Sequence, residues 1–200
     1  MNDRQDSYES AKIVVPLVLE LMGGNVRSVI DVGTGTGTWL EVFAEHGIED
    51  VVGIDGDYVD RNFLRFDERK FFPHDLSKPL AFNRKFDLVV SLEVSEHLPR
   101  ESAETFVDTL TGLGNVILFS AAIKYQGGNK HLNEQWPEYW AGLFAARGFK
   151  VSDPLRHKIW NDKRICWWYR QNILIFFKEA GRFEEADPSN LSMFHPECWL

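Results

Sequence analysis

The sequence predicts a doubly wound α/β fold, in which helices cover both faces of a mostly parallel β-sheet in three α/β/α layers. Apolar segments of about four to seven residues alternate with segments of helical periodicity, as in parallel sheets. The first apolar segment runs into a glycine-rich loop and then a helix, as in nucleotide-binding folds. No repeat or flexible linker divides the 200 residues, so we expect a single domain over 1–200.

The predicted elements follow from hydrophobic periodicity and from Gly and Pro breaks. Strands are predicted at 28–32, 50–55, 70–72, 86–92, 115–121, 149–153 and 172–178. Helices are predicted at 8–22, within an N-terminal helical segment 1–24, and at 36–46, 57–66, 101–111 and 134–147. A polar aromatic stretch rather than a clear helix precedes the last strand, which suits an antiparallel strand at or near the sheet edge. The tail 181–200 is predicted to be irregular.

The charge of the chain argues against a nucleic-acid partner. The formal net charge is −8, whereas phosphate-binding surfaces cluster Lys and Arg. One stretch, 156–170, interleaves basic residues with Trp and Tyr, which leaves an RNA base open as an alternative to a substrate wall or a solvated face. A small-molecule substrate is the favoured partner.

Cysteine usage and hydropathy point to a cytoplasmic protein. Cys166 and Cys198 have neither metal-ligand nor redox spacing, and the polar N-terminus has no signal-peptide pattern. No apolar run approaches the roughly 20 residues that cross a bilayer. We therefore expect no membrane role.

The loop in VIDVGTGTGTWL (29–40) places Gly33, Gly35 and Gly37 at every second position. Glycine permits positive φ and a close approach of ligand to backbone, and the next helix turns its first N–H groups toward the loop. Three glycines exceed what a simple turn requires, so the loop is predicted to cradle a cofactor. The dinucleotide pattern G-x-G-x-x-G fails at Thr38, which argues against a pyrophosphate.

Three acids at strand ends indicate which cofactor is bound. Asp31 would repel a phosphate and suits a cationic amino group. Asp55 can accept hydrogen bonds from both ribose hydroxyls; the alternative is a helix N-cap, for which Asp57 is better placed. Asp75, after the third strand, is predicted either to face an adenine amino group or to be an ordinary loop residue. A cofactor with an amino acid end, a nucleoside end and no phosphate fits this pattern.

These motifs resemble those of the class I S-adenosylmethionine-dependent methyltransferases. The matching segments are VIDVGTGTG (29–37), VVGID (51–55), FPHDL (72–76) and FDLVVSLEVSEHL (86–98), within roughly residues 26–125. The resemblance implies S-adenosylmethionine as the cofactor, with its methionine part on the glycine loop, its ribose on the second-strand acid and its adenine near the third. The residues assigned to it are Asp31, Gly33, Thr34, Gly35, Gly37, Asp55, Gly56, Asp75, Leu76 and Ser91.

Two histidines are candidate catalytic residues on the acceptor side. Methyl transfer is an in-line displacement, so an oxygen acceptor needs alignment and a base. His97 lies four residues after Glu93, where a helical turn would let the carboxylate orient the imidazole; the alternative, which the resemblance favours, is a histidine that fixes the loop. His131, three residues before Glu134, is the second candidate base, with loop capping or packing as its alternative.

Aromatic residues follow His131 and could line the acceptor site or belong to the core. These are Trp136, Tyr139 and Trp140. No metal is predicted, because His74 and Asp75 lie far in sequence from His131 and Glu134, and Ser91-Leu92-Glu93 stands where magnesium-dependent O-methyltransferases would place an aspartate.

The sequence therefore predicts a methyltransferase that acts on a small molecule, such as a sugar or another hydroxylated metabolite. RNA or protein methylation, an NAD-dependent oxidoreductase and a non-catalytic partner subunit are the alternatives. The N-terminal helix with Tyr8, or the tail, is expected to close over the site.

Overall fold

Seven strands form one sheet in the computed structural model, which describes residues 3–199. In chain order they are β1 (Ser28–Val32), β2 (Asp50–Asp55), β3 (Phe71–Pro73), β4 (Leu88–Leu92), β5 (Val116–Ser120), β6 (Lys150–Ser152) and β7 (Leu174–Phe177). Their spatial order is β3-β2-β1-β4-β5-β7-β6. β1 pairs in parallel with both β2 and β4, so their carboxyl ends meet at one edge, at the point where strand order reverses.

The last strand is antiparallel, as the sequence predicts. β7 pairs antiparallel with β5 on one side and with β6 on the other, and it lies second from the sheet edge. The predicted strands agree with the observed ones within two residues at each end.

Six α-helices cover the two faces of the sheet in the described part of the chain. They are α1 (Asp3–Leu21), α2 (Thr38–Glu45), α3 (Ala103–Leu113), α4 (Pro137–Ala145), α5 (Arg156–Ile159) and α6 (Trp167–Asn172). α1, α2, α5 and α6 contribute to one apolar cluster, and α3 and α4 to the other. Alternate strand residues face the two clusters: Val29 belongs to the first and Ile30 to the second. The predicted three-layer α/β class is confirmed.

The predicted helix over 57–66 is wrong. This segment contains only a 3-10 helix, Arg61–Phe63, whose first turn is capped by the Asp60 side chain, an acceptor from Asn62 N. Asp residues that bond the nearby backbone in this way compete with a continuous helix.

The stretch between β6 and β7 is more helical than predicted. α5 and α6 form because apolar positions hidden in this basic, aromatic sequence, Ile159, Ile165 and Tyr169, are buried against the core. The tail 181–199 holds two short 3-10 helices, Pro188–Asn190 and Pro196–Trp199. None of the described helices has the length and apolar character needed to cross a membrane.

Candidate active site

The glycine loop joins β1 to α2 and uses its three glycines in different ways. Gly33, Gly35 and Gly37 all have positive φ, at 90°, 54° and 85°. A Cβ on Gly33 would lie 2.2 Å from Val94 Cγ2, and a Cβ on Gly37 would lie 2.2 Å from the Phe66 ring. A Cβ on Gly35 would meet nothing within 4 Å. The sequence predicts that all three open space for a ligand; the structure assigns the open space to Gly35 and close packing to the other two.

A first cavity, which we call the loop cavity, lies at the carboxyl end of β1. It has a volume of about 230 Å³, and its walls are the glycine loop with Asp31, Thr34, Ser7, Trp39, Leu92 and Tyr169. Asp31 is 3% exposed, and burial, with a smaller contribution from the Asp55 charge, raises the pKa of its carboxyl to about 7. No Lys or Arg side chain within residues 7–198 forms an ion pair with Asp31, so this carboxylate is suited to a cationic ligand group.

A second cavity, the Asp55 cavity, lies at the carboxyl ends of β2 and β3. It measures about 660 Å³ and includes Asp55, Gly56, Tyr58, Asp75, Leu76 and Leu98 among its walls. Asp55 Oδ2 accepts from Gly35 N at 2.7 Å, which links the two cavities. Asp55 Oδ1 accepts from Gly56 N at 2.6 Å and from the Tyr58 hydroxyl at 2.5 Å. Asp55 is not a helix N-cap, so that alternative is wrong.

The structure brings most of the predicted cofactor residues to these two cavities. Asp75 lines the Asp55 cavity, although its Oδ1 also accepts from the backbone and hydroxyl of Ser77 in a turn. Leu76 is buried beside it. Gly37 and Ser91 are the exceptions, because they line neither cavity. Gly37 packs against the Phe66 ring, and the buried Ser91 hydroxyl donates to Val32 O across the sheet at 2.9 Å. This bond gives the Ser91 side chain a structural role between β4 and β1.

A third cavity, the histidine cavity, brings the two candidate catalytic residues together. It measures about 420 Å³ and is lined by Glu93, Glu96, His97, residues 126–129, His131, Trp167 and Trp168. The rings of His97 and His131 are 4.9 Å apart and nearly perpendicular. His131 Nδ1 lies 2.8 Å from Glu134 Oε1, three residues further along the chain. Burial and the neighbouring His131 lower the pKa of His97.

The predicted pairing of Glu93 with His97 is wrong. Residues 95–97 form a 3-10 turn, and Glu93 itself has a φ of 54°. Its carboxylate accepts from the side-chain amides of Asn172 at 3.1 Å and Gln126 at 3.4 Å. Burial raises the pKa of Glu93.

Glu96, which the sequence places with Glu93 and His97 after the fourth strand but to which it assigns no role, lines the same cavity. It is fully buried, and neither carboxylate oxygen has a partner in good hydrogen-bond geometry among the described residues. Burial and the adjacent Glu93 charge raise its pKa well above the ordinary range. Only its spacing within SEH, beside His97, hinted at a role.

The aromatic wall of the histidine cavity also differs from expectation. Trp140 is core, at 2% exposed, and Trp136 and Tyr139 line a separate surface cavity. Trp167 and Trp168, at the start of α6, form the wall instead. Neither the tail nor Tyr8 lines the three cavities: the Tyr8 hydroxyl donates to Glu45 on α2. The N-terminal helix reaches the loop cavity through Ser7.

The loop cavity and the histidine cavity are separated by two pairs of adjacent residues. Leu92 lines the first cavity and Glu93 the second, at the end of β4. Tyr169 lines the first and Trp168 the second, on α6. The loop cavity and the histidine cavity are therefore neighbours at the end of β4.

Comparisons with known proteins agree with this arrangement. The profile of a family described as "Methyltransferase domain" matches residues 4–142, well over half of the chain. A comparison with curated proteins finds no significant match.

Several solved structures share the fold. One is magnesium protoporphyrin IX methyltransferase (ChlM) from Synechocystis PCC 6803 with bound SAM, 19% identical, with a TM-score of 0.64 over 87% of this chain and 80% of that one. The methyltransferase domain of bacterial CtHen1 is 19% identical, with a TM-score of 0.61 over 86% and 98%. DesVI from Streptomyces venezuelae is 15% identical, with a TM-score of 0.59 over 88% and 93%. At these identities the likeness shows the fold alone.

The family match bears on the motifs around the three cavities, since it spans the glycine loop, the strand-end acids and His131. The match confirms the resemblance of these motifs to those of the class I S-adenosylmethionine-dependent methyltransferases. The chain belongs to the methyltransferase-domain family, among the class I S-adenosylmethionine-dependent methyltransferases.

Proposed function

We propose that this enzyme transfers the methyl group of S-adenosylmethionine to a hydroxyl of a small-molecule acceptor, of the kind found on sugars and other hydroxylated metabolites. The observation that carries the proposal is that the loop cavity and the histidine cavity are neighbours, lined by the adjacent residues Leu92 and Glu93. The methyl carbon–sulfur bond breaks as the carbon–oxygen bond forms. Sulfur keeps the bonding electrons as S-adenosylhomocysteine, and the hydroxyl proton passes to a base, for which His131 and His97 are the candidates.

The cofactor is S-adenosylmethionine, and its three parts fit the two cavities at the ends of β1, β2 and β3. Its ammonium group pairs with the Asp31 carboxylate, which has no cationic partner within the described residues. Its methionine chain approaches the backbone at Gly35, where space is open. Its ribose binds Asp55, and its adenine lies in the Asp55 cavity beside Asp75 and Leu76. The structure of ChlM was solved with this cofactor bound.

The acceptor binds in the histidine cavity. Trp167 and Trp168 supply flat apolar surfaces on which a planar ring or a sugar face can pack. His131, oriented by Glu134, and its neighbour His97 form the group that activates the acceptor hydroxyl. In-line transfer requires this hydroxyl and the sulfonium to lie on opposite sides of the methyl carbon, which the two cavities allow.

The contacts of the basic stretch 156–170 do not favour the RNA alternative. Arg156 is buried and donates to Asp153 and to the carbonyls of Gln171 and Leu191. Arg170 is buried as well. These two guanidinium groups stabilise the fold and are not available to phosphates. The match to a methyltransferase family argues against the alternative of an NAD-dependent oxidoreductase.

Calorimetric titration with S-adenosylhomocysteine, and separately with NAD, tests the cofactor assignment. Asp55→Ala should abolish S-adenosylhomocysteine binding, while Asp108→Ala, on the exposed side of α3, serves as the matched control and should not change it. No measurable affinity in the unmodified chain would favour a non-catalytic partner subunit. Binding of the cofactor product then allows a screen of hydroxylated acceptors for S-adenosylhomocysteine release.

A further inference from the structure

Three side chains converge at the floor of the histidine cavity. Glu96, His97 and His131 each offer a ligand atom, and these atoms all lie within 4.8 Å of one another. Two ligands bound to one metal ion at about 2.1 Å are at most about 4.2 Å apart, so a small inward movement of the side chains suffices. The sequence analysis considered His74, Asp75, His131 and Glu134 as ligands and predicts no metal because they are widely separated; the fold places His131 beside His97 and Glu96.

Backbone hydrogen bonds hold the segments that carry these side chains next to each other. Glu96 O accepts from Leu132 N at 2.7 Å and from Asn133 N at 3.0 Å. These bonds tie the turn that follows β4 to the loop that follows β5. Glu96, His97 and His131 therefore belong to one hydrogen-bonded unit, although 34 residues separate His97 from His131 in sequence.

The environment of Glu96 is the observation that points to a bound ligand. Its side chain is completely buried, neither oxygen has a partner in good hydrogen-bond geometry, and no ion pair within the described part of the chain includes it. The Glu96 and Ala122 backbone N–H groups favour the charged form of the carboxyl but do not offset its burial. A buried carboxylate without hydrogen bonds or a counter-charge is strongly unfavourable. Its neighbour Glu93 is buried too, and that carboxylate is already held by Asn172 and Gln126. A cation beside Glu96 would balance this concentration of acidic groups.

His131 is oriented as a metal-binding imidazole usually is. Its Nδ1 hydrogen-bonds Glu134, so the proton resides on Nδ1 and the lone pair on Nε2 remains for a ligand. A carboxylate behind a histidine in this way fixes the tautomer and raises the basicity of the ligating nitrogen. The Gly128 backbone packs over the ring: a Cβ there would lie 2.3 Å from Nε2 and Cε1.

We propose that Glu96, His97 and His131 bind a divalent transition-metal ion. Two imidazole nitrogens and one carboxylate oxygen suit Mn²⁺, Co²⁺ or Zn²⁺ better than Mg²⁺ or Ca²⁺, which prefer oxygen ligands throughout. Three protein ligands leave coordination positions open toward the cavity. Resting on the proposed function, we assign those positions to the acceptor hydroxyl, whose oxygen would bind the cation and release its proton to solvent more readily. In this arrangement the two histidines activate the acceptor by binding the metal ion and not by acting as bases.

Cobalt binding to the full chain tests the site without any methyl acceptor. After treatment with EDTA and dialysis, titration with Co²⁺ should produce visible absorption bands that saturate at about one ion per chain. His131→Ala and His97→Ala should abolish the bands, and Glu134→Gln should weaken affinity by about 10- to 100-fold. His157→Ala, which removes a histidine from a different surface cavity, is the matched control and should leave the bands unchanged.

Thermal denaturation with and without Co²⁺ separates loss of ligands from loss of folding. The ion should raise the melting temperature of the unmodified chain but not that of the two histidine variants, each of which should still bind S-adenosylhomocysteine. Absence of the bands, or bands that survive His131→Ala, would overturn the metal site and favour a proton shared between Glu93 and Glu96. If S-adenosylhomocysteine binds and cobalt does not, only the metal proposal fails; the reverse result would defeat the proposed function alone.

Discussion

The Tyr58 hydroxyl donates a 2.5 Å hydrogen bond to Asp55 Oδ1, the carboxylate that we propose binds the ribose. Gly35 N and Gly56 N donate to the same carboxylate, so three of its roughly four acceptor positions are filled. A ribose that uses both oxygens must therefore displace Tyr58, whose side chain is 84% exposed and free to move aside.

Tyr58→Phe should strengthen S-adenosylhomocysteine binding, because the variant has no hydroxyl to displace but keeps the ring. A hydrogen bond is worth about 1 kcal/mol net, so we expect about a fivefold lower Kd by calorimetry. Tyr125→Phe, at an exposed tyrosine outside the Asp55 cavity, is the control. Weaker binding by Tyr58→Phe would mean that the hydroxyl assists the cofactor and does not compete with it.

Asp31 should make cofactor binding depend on pH. Its folded-state pKa is about 7, so below that value the carboxyl must release a proton before it can pair with the cofactor ammonium group. S-adenosylhomocysteine affinity should fall by up to about tenfold for each pH unit below pH 7. Asp31→Asn should bind weakly and nearly independently of pH over this range. A flat profile for the unmodified chain would contradict the pairing.

The Asp31 carboxyl should also make folding stability depend on pH, with stability falling as pH rises whereas cofactor affinity increases. Because the folded pKa of Asp31 exceeds its unfolded value of 3.8, the folded chain binds more protons between these values, and stability falls as pH rises through this window. Asp31→Asn removes this penalty. Denaturant titrations should show the variant gaining stability over the parent from about pH 4 to pH 7, with a constant difference at higher pH. A difference that does not change with pH would argue against the raised pKa.

Two alanine variants in the glycine loop should separate an effect on folding stability from an effect on cofactor binding. Gly33→Ala forces a Cβ to 2.2 Å from Val94 at a positive φ, so it should destabilise the fold beyond the 1 to 3 kcal/mol or so of backbone strain. Gly35→Ala should cost about that strain alone but should place its methyl group where the cofactor approaches. Calorimetry should then show loss of S-adenosylhomocysteine binding in a folded Gly35→Ala protein. Retained affinity would show that the open space at Gly35 is not used.

The sequence predicts the framework of the site better than its acceptor side. Asp31 and Asp55 are recognisable because their positions depend on single strands, and strand alternation decides which way they face. The pairing of His97 with His131 depends on how the loops after β4 and β5 meet, through the Glu96 carbonyl. No local periodicity encodes that contact. The Ser91 contact is not encoded locally either, because its hydroxyl bonds a neighbouring strand and that contact is fixed only by sheet order.

Replacement of His131 should separate catalysis from cofactor binding. His131→Ala should lower methyl transfer to the identified acceptor by at least about a hundredfold, whether the imidazole acts as base or as metal ligand. Its affinity for S-adenosylhomocysteine should not change, because the residue lines only the histidine cavity. His97→Ala should behave similarly. Unchanged turnover in both variants would show that neither histidine activates the acceptor.

Arg156 should contribute more to stability than any exposed cation of the same stretch. Its side chain is 1% exposed and donates to Asp153 and to the carbonyls of Gln171 and Leu191, so it ties α5 to α6 and the tail. Arg156→Met leaves these acceptors buried and unpaired, which should lower the free energy of unfolding by about 3 to 5 kcal/mol. Arg164→Met removes the exposed pair with Asp162 and should cost no more than about 1 kcal/mol. Denaturant unfolding of both variants measures the difference. Equal losses of unfolding free energy in the two variants would mean that the buried Arg156 contacts contribute no more than a surface ion pair. Arg156 would then not be what holds the tail to the domain.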